Sequence, residues 1–211
     1  EYNVHVNTGK PRVVYRETIR KAVEAEGRFE RDLGEKKHFG HVKLVLEPLP
    51  RGSGIEIRNE LPAETIPPEY HPVIEESLGE AVMSGIVAGY PVLDVRVRIT
   101  GGSYREGEAS SVGYRIAAAT AFRDGCSKAD PVLLEPIMRV DVLTPRDFMG
   151  EVIGDLNARK GEVESVNPKG PVTEIRANVP LRSLFGYSTD LRSATQGRAV
   201  FTMQFLRYDT A

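Results

Sequence analysis

Cysteine is almost missing from this chain of 211 residues: Cys126 stands alone. A single thiol excludes an intramolecular disulfide framework and fits a reducing compartment, so a cytoplasmic protein is expected. Cys126 follows Ala-rich helical sequence with no base beside it, and a buried, inert thiol is expected. Long apolar runs are missing as well. Hydrophobic residues make up 40% and charged residues 27% of the chain. No run approaches the roughly 20 residues that cross a bilayer. No signal-peptide pattern opens the chain, and no membrane partner is expected. Excess positive charge is also absent, the formal net charge being −2. Proteins that hold nucleic acid by bulk charge are usually basic, so any RNA contact here must be local and shape-driven.

Catalytic and nucleotide motifs are equally scarce. Thr8-Gly9-Lys10-Pro11 contains Gly-Lys but lacks the earlier Gly of a phosphate-binding loop, and Pro11 stands where Ser or Thr would bind magnesium. His38 and His41 flank Phe39-Gly40. On a strand, residues three apart point to opposite faces, and no third ligand is spaced to complete a metal site. Glu75-Glu76 and Glu162/Glu164 fit solvated faces. No Ser-His-Asp or Cys-His spacing stands out. No catalytic, cofactor-binding or metal-binding residue is expected.

What the chain does contain is a succession of strand and helix signals. In a first section, 1–129, alternation and turn residues predict strands over Tyr2–Asn7, Phe39–Leu49, Ile55–Asn59 and Leu93–Ile99, with extended segments at Arg12–Ile19 and Gly27–Leu33. Helices are expected over Pro67–Ser84 and from Ser110 or Ser111 to about Arg123, with Gly125 near the end. In a second section, 130–211, the rhythm is shorter. Strand Ile137–Leu143 is followed by a helix over Arg146–Lys160, with Thr144 as its cap, Pro145 at its first position and Gly161 as a left-handed terminator. Then come strand Glu162–Val166, a turn at Asn167-Pro168-Lys169-Gly170, and strand Thr173–Val179. A short helix over Leu181–Phe185, continued by Leu191–Thr195, and strand Arg198–Tyr208 complete the section. That last strand has Phe201, Met203 and Phe205 on one face. The order βαββαβ is that of a ferredoxin-like domain, with helices covering one face of an antiparallel sheet. The expected class is α+β in two domains, and the abrupt opening on an alternating strand reads as part of a longer chain.

Two Gly-bounded stretches at strand ends combine cationic and aromatic side chains, 34–41 and 100–108. Such loops can track phosphates and stack on bases.

A set of ordered motifs then adds a resemblance. Gly9-Lys10-Pro11 precedes Tyr15-Arg16-Glu17-Thr18-Ile19, followed by Gly40-His41-Val42 and Glu47-Pro48-Leu49. Further on stand Leu134-Glu135-Pro136-Ile137-Met138 and Gly150-Glu151-Val152-Ile153-Gly154-Asp155-Leu156-Asn157. Phe185-Gly186-Tyr187, Asp190-Leu191-Arg192-Ser193 and Gln196-Gly197-Arg198 complete the set. Across essentially its whole length the chain resembles domains IV and V of translation elongation factor G. The resemblance implies an α/β domain IV with a left-handed βαβ crossover, then a ferredoxin-like domain V. It implies a monomeric part of a ribosome-dependent GTPase that moves tRNA and mRNA, or recycles ribosomes. GTP and magnesium would bind in a preceding domain. Decoding-site rRNA, tRNA and mRNA would meet domain IV, and large-subunit GTPase-associated rRNA domain V.

The two Gly-bounded stretches correspond to the family's domain IV tip, which places RNA contacts at Lys36, Lys37, His38, Gly40, His41, Ser103, Tyr104 and Arg105. The family's Gly-Gly-Arg-Gly-Gln-Tyr-Gly-His is replaced here by Gly34–His41, and its Gly-Ser-Tyr-His by Gly102–Arg105. These changes imply a paralogue with a narrower task. A stand-alone RNA-binding module and a ribosomal protection factor share the architecture. A small-molecule enzyme of the same α/β fold would need a nucleotide loop or catalytic cluster.

Overall fold

The computed structural model describes residues Val13–Ala211. The expected strand Tyr2–Asn7 and the Gly9-Lys10-Pro11 turn lie outside the described residues. Two compact units emerge, Tyr15–Leu134 (to which Thr210–Ala211 also belong) and Glu135–Asp209.

The first unit contains β1 (Arg16–Thr18), β2 (Val23–Leu33), β3 (Lys36–Pro48), β4 (Ile55–Asn59), α1 (His71–Ser84), β5 (Val95–Ser103) and α2 (Ser111–Lys128). Four of the strands form a sheet in the order β2-β3-β5-β4. The β2/β3 and β3/β5 pairs are antiparallel, and β4/β5 is parallel with α1 as its crossover. Alternation puts Val42, Leu44 and Leu46 of β3 and Val95, Val97 and Ile99 of β5 on one face, buried against Ile74 and Leu78 of α1 and Tyr114, Ala118 and Phe122 of α2. Cys126 joins this core, and burial pushes its thiol up to about 12.

The second unit starts within β6 (Val132–Pro145). It continues through α3 (Met149–Ala158), β7 (Glu162–Lys169), β8 (Val172–Pro180), α4 (Tyr187–Ala194) and β9 (Val200–Thr210). The strands lie in the order β9-β6-β8-β7. This is the ferredoxin-like arrangement that the βαββαβ rhythm predicts. Val152 and Leu156 of α3 and Tyr187 and Leu191 of α4 pack on Val140, Val142, Ile175, Ala177 and Val179.

Several expectations are corrected at element ends. The strand expected over Leu93–Ile99 starts only at Val95, because Asp94 has φ 60° and turns its buried carboxylate back to the Gly54 N–H (2.9 Å) and Arg51 (3.1 Å). Ser110 does cap α2, accepting from the Gly113 N–H at 3.0 Å. The helix then runs past Arg123 and through Gly125 to Lys128. Gly125 is a packing residue, since a Cβ there would lie 2.6 Å from the Leu46 side chain and 2.7 Å from that of Ala25. Thr144 caps nothing. It is buried in β6, which continues to Pro145, and a 3₁₀ turn over Arg146–Phe148 leads into α3.

Lys160, with φ 63°, takes the left-handed position expected of Gly161. A Cβ on Gly161 would instead meet the Leu156 carbonyl oxygen and a Val179 methyl, both at 2.8 Å. The turn expected at 167–170 is strand up to Lys169, and the reversal occurs at Gly170-Pro171. Pro168 is tolerated because β7 is an edge strand. The short helix expected over Leu181–Phe185 is a 3₁₀ turn ending at Ser183, separate from α4. Of Phe201, Met203 and Phe205, only Phe201 reaches the core, edge-on to Tyr187 at 5.0 Å; Met203 and Phe205 stay exposed.

Candidate nucleic-acid interface

The stretch expected as a loop over 34–41 is mostly strand. Only Gly34-Glu35 turn, and Leu33 pairs directly with Lys36. Gly34, with φ 70°, occupies the first central position of a two-residue hairpin, where type II′ turns favour glycine. The second stretch, 100–108, is likewise strand through Ser103. Pairing between β3 and β5 ends at His41↔Ser103. The hairpin therefore extends beyond that pair over residues 29–33 and 36–40, about 16 Å at roughly 3.3 Å per residue, with Phe39 still bridged to Ala109 and Gly40 buried against α2 at its base.

The eight expected contact residues divide into two groups. Lys36, Lys37 and Tyr104 are exposed. Neither lysine is ion-paired to any described residue. The Tyr104 ring lies 6.2 Å from that of Tyr70, which lies tilted at 4.8 Å from the buried Tyr114 ring. His38 is half-buried, and its Nδ1 lies 2.7 Å from the Ser110 Oγ. That hydroxyl also accepts from the Gly113 N–H, so one side chain links His38 to the first turn of α2.

The others are turned inward. Gly40 and His41 are buried. His41 sits between the Ser103 Oγ (Nδ1, 2.8 Å) and the Glu26 carboxylate (Nε2, 2.7 Å). Its hydrogen bond holds the Glu26 carboxyl below the usual range. The Ser103–His41–Glu26 sequence of contacts has the order of a hydrolytic triad, but the buried imidazole spans three neighbouring strands and ties β2 to β5 across β3. The Ser103 carbonyl accepts from the Tyr114 hydroxyl at 2.7 Å. Arg105 is engaged on three sides, by Glu30 at 3.0 Å, Glu108 at 3.8 Å and the Phe39 ring face at 4.5 Å. The Arg105 hydrogen bond in turn keeps the Glu30 carboxyl below its usual range.

Spacing did not bring out Glu26, Glu30 or Arg31 as parts of this region. The only available signal was charge alternation along β2. Across 28–38 and 100–108, five cations (Arg28, Arg31, Lys36, Lys37, Arg105) face five carboxylates (Glu30, Asp32, Glu35, Glu106, Glu108). The tip as a whole is thus neutral, and its affinity for polyanions depends on how these charges are sorted.

Comparison with known proteins places the whole chain in one family. The family model for elongation factor G, domain IV, matches residues 11–130, and that for the elongation factor G C-terminus matches 132–211. Elongation factor G 2 of Syntrophus aciditrophicus (strain SB) is 63% identical over 209 residues, which are 99% of this chain and 31% of that protein. Elongation factor G of Aquifex pyrophilus is 50% identical over 209 residues, 99% of this chain and 30% of its own length. A crystal structure of a Thermus thermophilus protein superposes with a TM-score of 0.87 at 36% identity, covering 95% of this chain and 30% of that one. The chain thus spans about a third of the relatives it matches.

Proposed function

We propose that this chain, which belongs to the elongation factor G family, is the ribosome-engaging part of a ribosome-dependent GTPase that moves tRNA and mRNA or recycles ribosomes. From that premise the β2–β3 hairpin and the Ser103–Glu108 loop act as a steric wedge. They occupy space at the decoding site and block return of the tRNA. GTP and magnesium are assigned to the part of the parent outside these residues, and the chain contributes shape and local charge. The observation that carries the reading is the projecting hairpin, whose end presents Lys36 and Lys37 without carboxylate partners among the described residues. Phosphates of tRNA, mRNA or rRNA are the matching ligands, and Tyr104 and His38 offer flat faces for bases. The Glu135–Asp209 unit supplies a second ribosome contact, at large-subunit rRNA.

The test uses the full-length parent with Lys36→Ala, Lys37→Ala and Arg105→Ala combined. Translocation and subunit splitting are measured separately. A slowing of at least one, about tenfold, is expected. Wild-type rates in both would overturn the assignment of the tip.

A further inference from the structure

We propose that the tip is sided. The hairpin face turned toward α2 carries the main RNA contact, through Arg31, Lys36 and His38 with Phe29 and Leu33, while on the opposite face Lys37 lies among carboxylates and contributes less. This rests on the ribosome reading above and adds Phe29, Arg31 and Leu33 to the interface.

The pairing fixes the two faces. Residues directly opposite in an antiparallel pair share a side of the sheet, and successive pairs alternate. Phe29↔Gly40, Arg31↔His38 and Leu33↔Lys36 alternate with Glu30↔Phe39 and Asp32↔Lys37. Gly40 sets which side is which. A Cβ built on it would lie 2.2 Å from the Gly113 carbonyl of α2, so the first set faces α2. Two further contacts agree. His38 reaches Ser110 at the start of α2, and the Arg31 guanidinium lies over the Phe29 ring at 5.8 Å.

Among the paired positions, the α2 side of the projection therefore presents Arg31, Lys36 and His38 and no carboxylate. Neither Arg31 nor Lys36 is ion-paired to a described residue. Phe29 is half-buried, and Leu33 is 48% exposed. The other side presents Glu30 and Asp32 beside Lys37, with Arg105 bridging Glu30 and Glu108. A phosphate approaching that side meets Lys37 among carboxylates, and two guanidiniums, Arg28 and Arg105, already engaged with Glu30. On the α2 side the paired positions offer Arg31 and Lys36 without a carboxylate, with apolar edges on which an unstacked base can rest. Charge complementarity thus selects a nucleic-acid strand on the α2 side.

The test uses the full-length parent on ribosomes, with a benzophenone amino acid at position 33 or 32. These neighbours point to opposite faces, so the two variants differ little except in aim. Position 33 is expected to crosslink to RNA at least fivefold more than position 32. Arg31→Glu with Lys36→Glu should weaken ribosome binding at least tenfold and flatten the salt dependence by about 1.5 to 2 units of log–log slope. Lys37→Glu, on the opposite face, should weaken binding less than either Arg31→Glu or Lys36→Glu alone, and Arg31→Lys should retain most of it. All these sites are exposed on the hairpin, and an unchanged melting temperature verifies folding. RNA crosslinks from position 32 alone, or a Lys37→Glu loss equal to or greater than that of both Arg31→Glu and Lys36→Glu taken singly, would overturn the sidedness while leaving the tip reading intact. Ribosome binding with RNA crosslinks from neither position would overturn both.

Discussion

Gly40 and Gly113 meet with no side chain between them. A Cβ on Gly40 would lie 2.2 Å from the Gly113 carbonyl carbon and oxygen, and one on Gly113 would lie 2.3 Å from the Phe39 carbonyl. The start of α2 rests directly on the backbone of β3 just where the hairpin leaves the sheet. Inside an ordinary helix Gly113→Ala would stabilise by up to about 1 kcal/mol. Here the obstructing atoms are backbone and cannot rotate away, so overpacking dominates. Gly113→Ala is expected to cost about 2–3 kcal/mol net, read as a lower urea midpoint for the Tyr15–Leu134 unit. A midpoint equal to or above wild type would show that the two backbones can part cheaply.

Gly154 gives the opposite sign. It is exposed within α3, and a Cβ there meets nothing within 4 Å. No positive φ requires a glycine at this position. Gly154→Ala should therefore stabilise the Glu135–Asp209 unit by about 0.5–1 kcal/mol, chiefly by restricting the unfolded chain. Thermal denaturation of the two proteins side by side measures it, and a lowered midpoint would contradict the open surroundings of Gly154.

Arg105 pins the second tip loop to the hairpin through Glu30 and Phe39. Its hydrogen bond is the largest cause of the low Glu30 pKa. Arg105→Ala should let the Glu30 carboxyl titrate closer to its ordinary 4.5. Amide exchange across 105–109 should quicken as the loop loosens. Carboxyl-carbon NMR titration reads the first effect. An unmoved Glu30 titration in the variant would mean that the pair is not populated in solution.

Regular elements were readable from the sequence where one physical rule dominated. Val42, Leu44 and Leu46 announce β3 by period, and the βαββαβ order announces the ferredoxin-like unit. Element ends were less legible because they depend on contacts distant in sequence. Asp94 breaks a strand in order to hold Gly54, and Gly125 sits mid-helix because Leu46 and Ala25 press against it. At the tip, the glycines and cations of 34–41 suggested a loop, yet cross-strand pairing carries β3 out to Lys36. Register then decided which charges share a face, and register is set jointly by the turn and by the fit of Gly27 and Gly40 under α2. No local pattern around His41 or Arg105 could show that Glu26 and Glu30 would occupy them.

Glu17 shows how a motif residue acquires a physical role through distant backbone. It is 2% exposed, and its carboxylate accepts from the N–H groups of Ile86 (2.5 Å), Ala88 (2.6 Å), Val87 (3.1 Å) and Tyr90 (3.3 Å). Burial alone would push this carboxyl up. The four donors outweigh burial and hold it below its ordinary 4.5. A carboxyl depressed in the folded state contributes stability above its unfolded pKa and loses it as pH falls through the folded one. The contribution should therefore be constant from neutral pH down to about 5 and decline below that. Glu17→Gln places an amide N–H₂ where donors converge, leaving backbone groups of 86–90 unpaired. A loss of about 1–3 kcal/mol at pH 7 is expected, with faster amide exchange at Ile86 and Ala88. Other carboxylates also titrate, so the informative quantity is the wild-type minus Glu17→Gln difference in urea stability. That difference should shrink as pH falls from 5 toward 3, on the order of the window set by the ordinary carboxyl value. A gap that stays constant over that range would mean that the charge of Glu17 does not hold the loop.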